Sequence, residues 1–180
     1  MRSFLLFLVL CSVVNAQTPE ELRKQYSNVL VYIDDLGPDD HSIEYWEKCC
    51  IESCDSWLVP AGFTITRVPK RSDAEIVFTI GILKDRYGQC DRESWVKFPH
   101  IPNKADKLIV TIDKRIKNMS HENLNPDENL ISVLKHEVGH AIGLDHVMGS
   151  IVSDEWPRPR DLTPLDRKRI QELKRYLQSR

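Results

Sequence analysis

The stretch 136-HEVGHAIGLDHVMGSIV-152 decides the fold of the chain. His136 and His140 are four residues apart. On a helix that is about 400°, so the two rings lie within about 40° of each other, one turn apart. Two imidazoles so placed can grip one metal ion. Glu137 sits about 100° round from His136. From there its carboxylate reaches a water on the ion without becoming a ligand. His146 cannot join by continuing the helix, because six more residues carry it about 9 Å along the axis while zinc–nitrogen bonds are about 2 Å. The chain must fold back between His140 and His146. Gly143 permits this, since glycine takes positive φ at little cost. Leu144 then drops into the core, and His146 returns to the ion.

Upstream, 125-NPDENLISVLKHEVGHAIGL-144 reads as one helix, with Asn125 at the N-cap, Pro126 in the first turn and two acids that suit the helix dipole. Downstream, 162-LTPLDRKRIQELKRYL-177 reads as another, with Thr163 as N-cap and Pro164 at the first helical position. Before these lie β-branched stretches predicted as strands: "NVLVYID" from Asn28, "FTITRVP" from Phe63, "KLIVTID" from Lys107, and "AEIVFTIGIL" from Ala74, apolar enough to be central. Between the first two, "SIEYWEKCCIESCDSWLV" spaces Ile43, Trp46, Cys50 and Cys54 as one helical face. Asp40 or Ser42 would cap this helix, and Pro60 and Gly62 end it. Residues 84–107 are polar and Pro-rich; within them "ESWVKF", Glu93 to Phe98, is predicted as a short edge strand.

The chain opens "MRSFLLFLVLCSVVNAQ", an apolar run with small residues Val14 and Ala16 at the positions a signal peptidase reads. Residues 1–16 are therefore expected to be a signal peptide, residues 17–180 a single domain, and the protein secreted and extracellular. The run is shorter than the ~20 residues a membrane span needs, so no membrane association is expected. The formal net charge is −2 with both signs interleaved, which gives no stripe for nucleic acid. A monomer is expected. Beyond Cys11, the even set Cys49, Cys50, Cys54 and Cys90 predicts two disulfides in an oxidising compartment. A Cys49–Cys50 bridge needs a strained vicinal ring, so Cys90 would pair with Cys49 or Cys50. Asn118, in "NMS", is a glycosylation acceptor in a eukaryotic secretory route. His41, His100 and His121 have no ligand spacing.

"HEVGHAIGLDH" matches every fixed position of H-E-x-x-H-x-x-G-x-x-H, the metzincin signature. Within that group the chain most resembles the catalytic domain of matrixins, the matrix-metalloproteinase type. "GLDH" and "LTPLDRKRIQEL" are similar to matrixin segments, and the early strand, the Trp-bearing helix and "DAEIVFTI" follow the matrixin order. The resemblance implies an α+β, zincin-like domain: a mixed twisted sheet of about four to five strands, a zinc-binding helix and a C-terminal helix. It also implies a zinc-dependent endopeptidase. His136, His140 and His146 would ligate one catalytic Zn2+. Glu137 would be the general base toward a zinc-bound water and would pass its proton to the leaving amine. The protein or peptide substrate would bind extended along an edge strand, for which Glu93 to Phe98 is the candidate.

Three departures from the matrixin pattern stand out. Val147 follows the third histidine where matrixins usually have serine. Met148 comes only two residues on, and "GSIVS" resembles the S-I-M of a Met-turn with Val152 in the methionine's place, so either Met148 or Val152 would floor the site. Residues 84–107 have one histidine, His100, and one glycine, Gly88, so no structural zinc and no calcium site is expected. The residues between Gln17 and the first strand lack the cysteine that holds matrixin precursors latent. The enzyme would then be secreted active or restrained by an extracellular inhibitor. The alternative reading is a secreted binding protein, an inhibitor or decoy, that keeps the fold without peptidase activity. It is disfavoured because Glu137 and all three histidines are present.

Overall fold

The computed structural model describes residues 28–38, 42–84, 86–92, 107–116, 126–153, 159 and 161–178. The expected signal peptide, the Asn118 sequon, the Asn125 cap, the Glu93 to Phe98 strand, His41, His100 and His121 lie outside these residues.

The described chain runs β1 (Asn28–Ile33), α1 (Ile43–Ala61), β2 (Thr64–Arg67), a single 3-10 turn (Arg71–Asp73), β3 (Ile76–Gly81), β4 (Gly88–Arg92), β5 (Leu108–Asp113), α2 (Pro126–Ala141) and α3 (Pro164–Gln178). The architecture is α+β, with a five-stranded mixed sheet and three helices. The strand order is β2-β1-β3-β5-β4. Four strands are parallel, and β4 closes one edge antiparallel to β5.

Register places the apolar residues in rows. Val31 lies opposite Ile76, and Ile76 opposite Leu108; Ile33 lies opposite Phe78, and Phe78 opposite Val110. Alternation along a strand sends every second side chain to the same face, and these residues join the core formed with α1 and α2. "AEIVFTIGIL" does supply the middle strand, β3, paired on both sides.

Ser42 caps α1, its hydroxyl accepting from the Tyr45 N–H at 3.1 Å. Pro60 sits inside the last turn rather than ending the helix, and Gly62 ends it. The buried face is Trp46, Cys49, Cys50, Ser53, Cys54, Trp57, Leu58 and Ala61. Ile43, expected on that face, is 44% exposed. It occupies the first helical position, ahead of where α1 reaches the sheet. Trp46 meets Phe78 of β3 edge to face, with ring centroids 6.4 Å apart.

The two expected disulfides are not formed. Cys49, Cys50 and Cys54 are core residues of α1 and pack as small apolar side chains. Burial pushes the Cys50 and Cys54 thiols well above their usual range. Cys90 lies half-buried on β4.

The edge next to β5 is β4, "GQCDR", a strand the sequence reading did not assign. No helix among the described residues is long and apolar enough to cross a membrane.

Candidate metal centre

Helix α2 is buried on almost every side, with Leu130, Val133, Leu134 and Val138 in the core. Its orientation is fixed one residue before the first histidine. The Trp57 indole N–H donates to the Lys135 carbonyl at 2.8 Å, and the buried Lys135 ammonium reaches Asp161 at 2.7 Å and Glu52 at 3.5 Å. Trp57 also lies against Gly139, where an added Cβ would stand 3.2 Å from the indole ring. The γ-methyl of Val152 presses on the same spot. A glycine inside a helix costs about 1 kcal/mol relative to alanine; here it makes room for the segment that runs beneath the site.

The helix ends in a Schellman turn. Gly143 takes φ 91°, its N–H donates to His140 O at 2.9 Å, and the Leu144 N–H donates to Gly139 O at 3.0 Å. Leu144 packs against the core. The reversal brings His146 back: the Nε2 atoms of His136, His140 and His146 lie 3.0, 2.9 and 3.3 Å from one another.

The hydrogen bonds on the far side of two rings determine what those Nε2 atoms can do. His136 Nδ1 lies 2.9 Å from the Ile151 carbonyl, and His140 Nδ1 lies 2.8 Å from the Leu144 carbonyl. A carbonyl oxygen only accepts, so each Nδ1 carries the proton. In the neutral ring Nε2 is then a bare lone pair. Lone pairs converging within about 3 Å repel unless a cation lies between them. Tetrahedral zinc with bonds of about 2.0–2.1 Å spaces its nitrogens about 3.3 Å apart, close to the separations found here. The donor set therefore fits one zinc ion held by His136, His140 and His146. The Ile151 and Leu144 carbonyls act as the outer partners that fix tautomer and ring angle.

Glu137 is buried, at 4% exposure. Its side chain lies against Gly88 at the start of β4: a Cβ built on Gly88 would fall 2.8 Å from both Glu137 Cγ and Oε1.

After His146 the chain makes a tight turn, the Ser150 N–H donating to Val147 O at 3.1 Å with Gly149 at φ 77°. The Val147 N–H then donates to Val152 O at 2.9 Å. Met148 occupies the tip of this turn and is 76% exposed, whereas Val152 is fully buried. Of the two candidates for the floor, the structure places Val152 beneath α2 and Met148 in solvent.

The turn is held from below by α3. Asp166 is fully buried and accepts from the Ser150 hydroxyl, from the Ile151 N–H at 3.0 Å, and from the Thr163 N–H and hydroxyl at 2.9 and 2.7 Å. Thr163 caps α3, its hydroxyl accepting from the Asp166 N–H at 3.3 Å, which closes a reciprocal capping box. Arg169 donates to the Asp145 carbonyl at 3.1 Å. One helix thus grips the loop just before His146 and at the residue whose carbonyl orients His136.

Gly88, Gly139, Asp166 and the carbonyls of Ile151 and Leu144 were not singled out as part of the site from sequence. The glycine inside α2 and the Thr163-x-x-Asp166 spacing were the available signals; a backbone carbonyl leaves none. No protein-family model matches the chain. No characterised protein shows significant similarity to it.

Proposed function

We propose that the chain is a secreted zinc-dependent endopeptidase with a metzincin catalytic domain of the matrixin type. The observation that carries this reading is the convergence of three imidazole Nε2 atoms, two of them freed for a metal because their Nδ1 atoms are committed to carbonyls. A closed structural site would supply a fourth protein ligand. Among the described residues, the group placed to bind a metal is these three histidines.

When bound, zinc supplies Lewis acidity, acidifying a water and polarising the peptide carbonyl. The chain's own residues do the rest. His136, His140 and His146 present neutral nitrogens in a fixed array. Glu137, one position along α2 from a ligand, takes the proton of the attacking water on a carboxylate oxygen and delivers it to the departing amine nitrogen. Its burial keeps bulk water from competing for that proton. The extended substrate pairs by strand addition with β4, among the described residues the edge strand nearest α2. The candidate stretch Glu93 to Phe98 follows β4 directly in sequence and lies outside the described residues. The exposed Val147 and Met148 give the cleft an apolar lip.

The test is digestion of a denatured protein by the purified chain, with and without chelator, beside Glu137→Ala. The expected result is cleavage by the wild type that chelator abolishes and zinc restores, with the variant reduced by at least ~10³-fold. Equal digestion by wild type and variant would overturn the reading. Tight zinc binding with no digestion would instead favour the secreted binding protein.

A further inference from the structure

Gly88 is the first residue of β4 and pairs with Ile112 of β5. Glycine in a strand weakens it, and its presence often marks a close approach by another element. Here the other element is α2. A Cβ on Gly88 would lie 2.7 Å from Val133 Cγ1 and 2.8 Å from Glu137 Cγ and Oε1. Val133 and Glu137 are four apart and form one ridge of the helix. The neighbouring ridge carries His136 and His140. The depth at which the first ridge meets β4 therefore sets where the carboxylate stands relative to the histidines.

Neither backbone is free to retreat. The start of β4 is pinned by the Asp113 N–H donating to Tyr87 O at 2.9 Å. On its other sides α2 is held by Trp57 and by Val152 against Gly139. Any side chain at position 88 must then be accommodated by Val133, stiff because β-branched, and by the Glu137 carboxylate, which can rotate. We infer that Gly88 is a positioning residue for Glu137: the space it leaves is the seat of the carboxylate, and filling that space re-aims the general base. The catalytic consequence rests on the peptidase reading, but the contact itself does not.

The test uses the full chain as Gly88→Ala, Glu137→Ala and the pair, with three measurements: thermal midpoint after chelator treatment, zinc affinity by competition, and kcat and KM on a denatured-protein substrate. The seat predicts coupling: Gly88→Ala lowers the midpoint in the wild type and lowers it clearly less once the Glu137 side chain is gone. It also predicts a kcat lower by about 100-fold, the scale of an ångström-sized misplacement, with zinc affinity within about twofold. A purely structural glycine would move zinc affinity as well. Additive midpoints, or an unchanged kcat, would overturn the proposal. Gly88→Ala with Val133→Ala relieves the helix and leaves only the carboxylate conflict. Turnover should stay low in it, and full recovery would also overturn the proposal. If the wild type shows no peptidase activity, the functional reading fails and the stability coupling alone decides whether Gly88 seats Glu137.

Discussion

Val152 and Met148 divide a task that one methionine performs in the matrixin Met-turn the sequence resembles. A floor residue has to be apolar and closely packed, so that the histidine array rests on something that does not yield. Val152 meets that need: it is buried against Gly139, which lies between His136 and His140 on α2. No sulfur is required for the purpose. Met148 sits on the turn that lets the segment be short, because Gly149 at positive φ reverses the chain within four residues. Val152→Ala should therefore cost about 2 kcal/mol of unfolding free energy through lost burial and a cavity, and should loosen zinc binding. Met148→Ala should stay within about 0.5 kcal/mol, as exposed substitutions do. Urea denaturation of the two variants checks this, and a larger loss for Met148→Ala would reverse the assignment.

At the scale of elements, α2 carries two of the three histidines proposed as ligands, and α3 keeps the array in register. Asp166 takes the Ile151 N–H, the Ile151 carbonyl takes His136 Nδ1, and Arg169 takes the Asp145 carbonyl beside His146. Asp166→Asn replaces one acceptor oxygen by a donor facing donors. It should weaken zinc binding by about 10- to 100-fold, the usual effect of losing an outer partner. It should also cost about 1–3 kcal/mol from unsatisfied buried groups. Competition with a chromophoric chelator measures the first and urea denaturation the second; the exposed Lys168→Ala serves as the control that changes neither. The helices and four of the strands were legible because apolar periodicity and caps such as Ser42 and Thr163 are written in side chains. β4 was not, because "GQCDR" has no apolar alternation and is defined by its pairing with β5. The grouping of His136, His140 and His146 was legible from spacing alone. Their orienting partners were not, since Ile151 and Leu144 act through backbone carbonyls. The cysteine count misled for a related reason: it records how many thiols there are, but not that α1 turns three of them into core residues.

Across the whole molecule, the candidate centre depends on how the parallel part of the sheet is joined to its one antiparallel edge. That joint is Asp113, a fully buried carboxylate at the end of β5. It accepts from the Arg115 backbone N–H at 2.8 Å, from Arg115 Nε at 2.8 Å and Nη2 at 2.7 Å, and from the Leu83 N–H at 2.7 Å. Its own N–H holds Tyr87, the residue before Gly88. The chain leaving β3 and the turn after β5 meet on this side chain, and the start of β4 meets the Asp113 backbone. The Arg115 side chain bonds, followed by the backbone bonds from Arg115 and Leu83, outweigh burial and hold the Asp113 carboxyl at about 2, below its ordinary 3.8. A carboxyl whose folded pKa is depressed stabilises the fold fully above its unfolded value and loses that contribution as pH falls from about 4 through 2. At neutral pH the difference is on the order of 2 kcal/mol. Asp113→Asn should therefore lower urea stability at pH 7 by about that amount, with the gap to wild type closing as pH is taken from 5 to 2. Arg115→Ala should lose only part of it, since the Leu83 and Arg115 backbone N–H groups still donate. A gap that stays constant down to pH 2 would show that the carboxylate's charge is not what ties the end of β5 to the chain leaving β3.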